Sequence, residues 1–158
     1  CSCMNCIGVI MDEIKSILYP TDFSDCSAAA LPHAKFLAGQ LGVPLHVLYV
    51  QEEEHSQANH EVLLHRLQHY LEERGIDPKT HSVSVVFGSA VDEILKAAEE
   101  SYAGIIVMGT HGRSGLSTVF LGSVTNQVIK SAPCPVYVVR KDMTKTERRA
   151  AGRSAVTV

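Results

Sequence analysis

Apolar residues follow two alternating rhythms along the chain. Short runs rich in β-branched residues recur at Ile14–Pro20, Val43–Val50, His81–Phe87, Gly104–Met108 and Cys134–Arg140. Each is bounded by turn-forming residues, so each predicts a strand. Between them, apolar positions return every three or four residues, the spacing of a helix with one buried face. The first helix opens at Ser24, with Ala28, Leu31, Ala34, Phe36, Leu37 and Leu41 facing inward and Gly42 past its end. Pro32 lies inside that pattern and predicts a kink or a later start. Residues 51–57 form an acidic loop, and a second helix covers 58–74, with Val62, Leu63, Leu67 and Leu71 inward and Gly75 closing it. Ser89-Ala-Val-Asp92 reads as a capping box before a helix that packs Val91, Ile94, Leu95 and Ala98. Ser123 is placed as the cap of a last helix over 124–131.

Repeated strand–helix alternation implies right-handed crossovers and a parallel sheet covered on both faces. The fold class is therefore a doubly wound α/β domain. In such sheets a ligand sits beyond the carboxyl ends of the strands, where the strand order reverses. The first and fourth strands end in Pro20-Thr-Asp22 and Met108-Gly109. If the two strands are neighbours, both segments line one crevice.

The segment that follows the fourth strand carries the candidate chemistry. Glycines at 109, 112, 115 and 122 allow positive φ and a close backbone approach to an anion. The last helix begins directly after it, so its unpaired amides and positive dipole end point to the same place. Ser123 and Thr125 add hydroxyls, and Arg113 adds a full positive charge. No Gly-Lys-Ser/Thr follows the loop, and its spacing differs from Gly-x-Gly-x-x-Gly, which excludes both familiar dinucleotide and P-loop patterns.

Composition narrows the partners. The chain has 158 residues, 46% hydrophobic and 20% charged, in the range of one globular domain. Its net charge of −3 divides unevenly: residues 141–158 hold Lys141, Lys145, Arg148, Arg149 and Arg153 against Asp142 and Glu147, or +3, leaving −6 for residues 1–140. An acidic body argues against nucleic-acid binding. The apolar runs are too short to span a bilayer, and the first residues lack the basic start of a signal peptide, so a cytoplasmic protein without a membrane partner is expected. Cys3-Met-Asn-Cys6 has metal-ligand or redox spacing but no second pair, and it reads as part of a flexible extension over 1–13. Residues 141–158 read as a disordered basic tail. Cys26 and Cys134 are expected to be buried thiols, and His60, His65 and His69 a solvated helix face.

The pattern Gly109-x2-Gly112-x9-Gly122-Ser123 resembles the ATP-binding branch of the universal stress proteins. Ile17-Leu-Tyr-Pro-Thr-Asp-Phe-Ser24, Leu121-Gly-Ser-Val-Thr-Asn-Gln-Val-Ile129 and Ala132-Pro-Cys-Pro-Val-Tyr-Val-Val-Arg140 support the likeness, which covers residues 14–140. The resemblance implies a three-layer α/β/α fold with a five-stranded parallel sheet of order 3-2-1-4-5 and about four helices. It places Pro20, Thr21 and Asp22 at adenine and ribose and Val50 at adenine, with Tyr49 where histidine is common. Gly109, Thr110, His111, Gly112, Arg113, Ser114 and Gly115, then Ser123, Val124 and Thr125, match the phosphate positions; Met108 and Gly122 complete the nucleotide set. His111 is read as packing or capping the loop rather than as an acid–base group. The implied ligand is ATP, with Mg²⁺ held by the phosphates, and the implied assembly is a homodimer through the last strand, Pro135-Val-Tyr-Val-Val139. The implied role is a nucleotide-responsive stress-resistance or signalling module with weak hydrolysis at most. A slow ATP hydrolase or nucleotidyl transferase using the same site is the alternative.

Overall fold

All five apolar runs become strands in the computed structural model, which describes residues 14–52, 57–110 and 121–140. They are β1 (Ser16–Thr21), β2 (Leu45–Gln51), β3 (Ser82–Phe87), β4 (Ala103–Gly109) and β5 (Val136–Val139). Every pairing is parallel, in the order β3-β2-β1-β4-β5. Four helices connect them: α1 (Asp25–Leu41), α2 (Gln57–Glu72), α3 (Ala90–Glu100) and α4 (Ser123–Ser131). No helix among the described residues is long and apolar enough to cross a membrane.

The sheet has a core on each face, which is why its central strand reads as an unbroken apolar run. Ile17 and Tyr19 of β1 join Val47, Tyr49, Val107 and the inner faces of α1 and α2. Leu18, one residue out of phase, joins Leu48, Ile106, Met108 and the inner faces of α3 and α4. All six residues of β1 are buried.

The helices differ from expectation in which faces they bury. Helix α1 starts at Asp25 and runs unbroken through Pro32, with Ser24 capping it by accepting the Ser27 amide at 3.2 Å. Its buried stripe is Ser27, Ala30, Leu31, Ala34 and Ala38. Phe36, expected inside, is 64% exposed, because it lies about 200° around the helix from Ala34. Small residues on the buried stripe let the helix lie close to the sheet, so residue size misled. Val62 of α2 is likewise 67% exposed, while Leu67, Tyr70 and Leu71 are buried.

Two expected caps are also corrected. Ser89 occupies the N-cap of α3 but makes no side-chain cap bond, so the capping box is absent; the Ser89 carbonyl instead accepts the Glu93 amide. Gly122, not Ser123, is the N-cap of α4, and Ser123 is already helical. The Cys26 and Cys134 thiols are free and half-buried rather than sealed in the core. Burial pushes the Cys134 thiol pKa up, against a smaller opposing effect of a backbone bond from Ile106.

Candidate functional site

The chain builds outward from β1 to β3, then crosses back to β4 and β5, so the order reverses between β1 and β4. Helices leaving the two central strands depart to opposite faces, and a cleft of about 420 Å³ opens at the strand ends. The strand tips supply its floor: Pro20 to Asp22 from β1, Leu48 to Gln51 from β2, and Met108 with Gly109 from β4. Ala90 and Ile94, one turn apart on α3, form an apolar wall with Val50 and Val124. Gly122, Ser123 and Thr125, at the amino end of α4, complete the lining.

The predicted residues Pro20, Thr21, Asp22, Val50, Met108, Gly109, Gly122, Ser123, Val124 and Thr125 thus share one cleft. Thr110 does not line it. It is buried behind the strand tip, where its amide donates to the Val139 carbonyl at 3.0 Å and its carbonyl accepts the Gly122 amide at 2.7 Å. These bonds tie the ends of β4, β5 and α4 together. His111, Gly112, Arg113, Ser114 and Gly115 lie outside the described residues.

The two framing glycines work differently from expectation. Neither Gly109 nor Gly122 has positive φ; that of Gly122 is −57°. A Cβ on Gly109 would run into the Cys26 carbonyl and come within 2.9 Å of the Ser27 amide. Gly109 is therefore demanded by the close passage of β4 past the start of α1. That passage brings Ser27 to the cleft wall.

Polar groups at the floor are held in place by short bonds. The Asp22 carboxylate accepts the Ser24 amide at 3.0 Å, an Asx turn that orients it at the strand end. Thr21 and Ser27 join hydroxyls at 3.2 Å, and the Ser27 hydroxyl donates to the Ser24 carbonyl at 2.9 Å. Thr125 donates to the Gly109 carbonyl at 3.0 Å, which docks α4 onto the tip of β4. The Ser123 and Val124 amides sit in the first turn, where a helix offers no internal acceptor. The Tyr49 hydroxyl donates to the Gln51 side chain at 2.7 Å, fixing a second amide at the rim.

Sequence reasoning missed Ser27, Leu48, Tyr49, Gln51, Glu52, Ala90 and Ile94 as cleft residues. Period-2 alternation already put Leu48 and Val50 on one face, and Ala90 and Ile94 share a helix face. Only the crossing of α3 over the strand ends turns these core positions into a wall.

An apolar crevice at the switch point with a helix N-terminus on its lining marks the chain as a doubly wound α/β domain. Residues 13–140 match the model of the universal stress protein family. The chain belongs to that family. It is 34% identical to universal stress protein MJ0531 of Methanocaldococcus jannaschii over 143 residues, covering 80% of this chain and 82% of the relative. Among solved structures, the hypothetical protein MJ0577 of the same organism superposes with a TM-score of 0.63 at 32% identity, covering 84% of this chain and 99% of that one. A universal stress protein solved in complex with cAMP shares the fold, with a TM-score of 0.58 at 23% identity over 82% of this chain and 98% of that one.

Proposed function

We propose that the chain is an ATP-binding member of the family, acting as a nucleotide-responsive stress-resistance or signalling module in the cytoplasm. The observation that carries this reading is the convergence on one cleft of Asp22, the apolar α3 wall and the amino end of α4. The apolar side suits a flat base, Asp22 offers two acceptor oxygens for sugar hydroxyls, and the first turn of α4 favours an anion. The family resemblance would run the triphosphate from Ser123 and Thr125 along the segment from Gly109 to Gly115. Mg²⁺ would be carried by the phosphates and water. The role proposed for the cleft is binding, with slow hydrolysis at most. The likeness to the protein solved with cAMP speaks for the fold alone.

Thermal melting of the full chain with Mg-ATP tests the reading. Ligand at ~100 times Kd should add about 2.7 kcal/mol of stability, with a smaller gain for CTP or UTP. No gain with any purine nucleotide would overturn it. Gly112→Val should abolish the gain and leave the ligand-free melting temperature unchanged, because the resemblance assigns Gly112 to the phosphates. We also propose dimerisation through Pro135 to Val139, since β5 is an edge of the sheet.

A further inference from the structure

Phe23 stands between the cleft residue Asp22 and the helix cap Ser24, and its φ is +62°. That is the left-handed region, which glycine and asparagine enter easily and a bulky side chain does not. The residue is kept there by its ring. It packs on Tyr49 with centroids 4.7 Å apart and meets Tyr70 edge-on at 5.2 Å. The Arg66 guanidinium of α2 lies 4.4 Å above it. Its amide donates to the Thr21 hydroxyl at 3.2 Å, and the next amide donates to Asp22 at 3.0 Å. Tyr70 is in turn anchored beside the Tyr19 hydroxyl at 3.3 Å, and Tyr19 donates to the Ser27 carbonyl.

The strands β1 and β2 already meet at Asp22 through the pairing of Thr21 with Tyr49, and the clamp adds Tyr70 and Arg66 of α2 to that junction. We propose that Phe23 is a positioning residue: its clamp between Tyr49, Tyr70 and Arg66 holds the left-handed turn that presents Asp22 to the sugar of the bound nucleoside. Helix α2, although Arg66 itself does not line the cleft, thereby becomes a determinant of affinity. The inference rests on the nucleotide reading above and adds residues to it.

The experiment measures Kd for ATP and for uncharged adenosine by calorimetry on the full chain. Wild type is compared with Arg66→Ala, Arg66→Lys, Phe23→Ala, Asp22→Asn and the Phe23→Ala/Asp22→Asn double variant. Loss of the cation–π contact in Arg66→Ala should weaken both ligands about twofold to fivefold, and Arg66→Lys should recover most of it. Arg66 is exposed, so its variants should melt close to wild type. Phe23→Ala should weaken both ligands further, and the double variant should bind no worse than Asp22→Asn alone. Losses that multiply in the double variant would overturn the proposal, as would an Arg66→Ala effect on ATP but not on adenosine, which would mark a mere charge effect. If Phe23→Ala fails to fold, the Arg66 pair decides. Wild type binding no nucleotide would remove the cleft reading itself; wild-type binding with the affinities of Arg66→Ala and Phe23→Ala unchanged would remove only the role of Phe23.

Discussion

Gly109 and Gly39 show how differently one extra methyl group can act. At Gly39, inside α1, a Cβ would meet nothing within 4 Å. Replacing it by alanine removes the backbone freedom that glycine loses on folding, so Gly39→Ala should gain about 0.5–1 kcal/mol in urea unfolding. At Gly109 the new atom meets backbone, which cannot swing aside as a side-chain tip can. Gly109→Ala should therefore cost about 1–3 kcal/mol and separate β4 from α1. Equal effects of the two changes would show that the close passage is not rigid. The spacing of the glycines was visible in the sequence, but not this reason for the first of them. Sequence shows that a residue lacks a side chain; only the neighbouring chain shows what a side chain would strike.

At the scale of elements, strands were legible and helix faces only partly so. A strand buried on both sides leaves a continuous apolar run, as β1 does, and nothing in the neighbourhood can disguise it. A helix face is defined by angle, and α1 buries alanines while exposing Phe36. Weighting residues by size therefore pulled the predicted face toward the wrong side. Of the expected caps Ser24 holds, while Ser89 makes no side-chain cap bond and Ser123 stands one residue inside its helix, so residue type alone did not locate the caps. One element pair has a measurable consequence. His46 of β2 is bonded to Ser84 of β3 at 3.1 Å, and burial holds its pKa below the ordinary histidine value. A depressed folded pKa means the unfolded chain takes up the proton first as pH falls. The stabilisation is complete above the unfolded pKa of about 6.5 and declines below it until the folded pKa is passed. His46→Gln should therefore flatten the fall in stability below about pH 6.5 relative to wild type. An unchanged slope in that variant would assign the pH dependence to other groups.

At the scale of the molecule, the sheet order places the cleft in the middle and leaves β3 and β5 as edges. Hydrophobic periodicity carries no direct sign of that order; alternation of strands and helices defined the class, and the family resemblance supplied the order that the structure shows. The cleft was legible as far as strand ends reveal it, whereas the α3 wall needed the three-dimensional crossing. The remaining question of scale is what covers β5. An exposed edge invites pairing unless it is blunted by charge or proline. Among the described residues β5 carries neither within Val136–Val139, and Tyr137 at its centre is 44% exposed beside His33. Two copies joined there would continue the sheet across the interface. Thr110 ties this strand to the mouth of the cleft, since its amide bonds to Val139 and its carbonyl to Gly122. A dimer joined there should consequently hold that end of the cleft more rigidly than a monomer would. Tyr137→Lys puts a charge at the centre of the joint, and in sedimentation it should raise the dimer dissociation constant at least about tenfold. Because the cleft lies within one subunit, the same variant should keep its ATP-dependent stabilisation but with weaker affinity. A wild-type chain that sediments as a monomer would remove the proposed joint, and a monomeric variant with undiminished ATP affinity would show that the Thr110 link does not carry coupling.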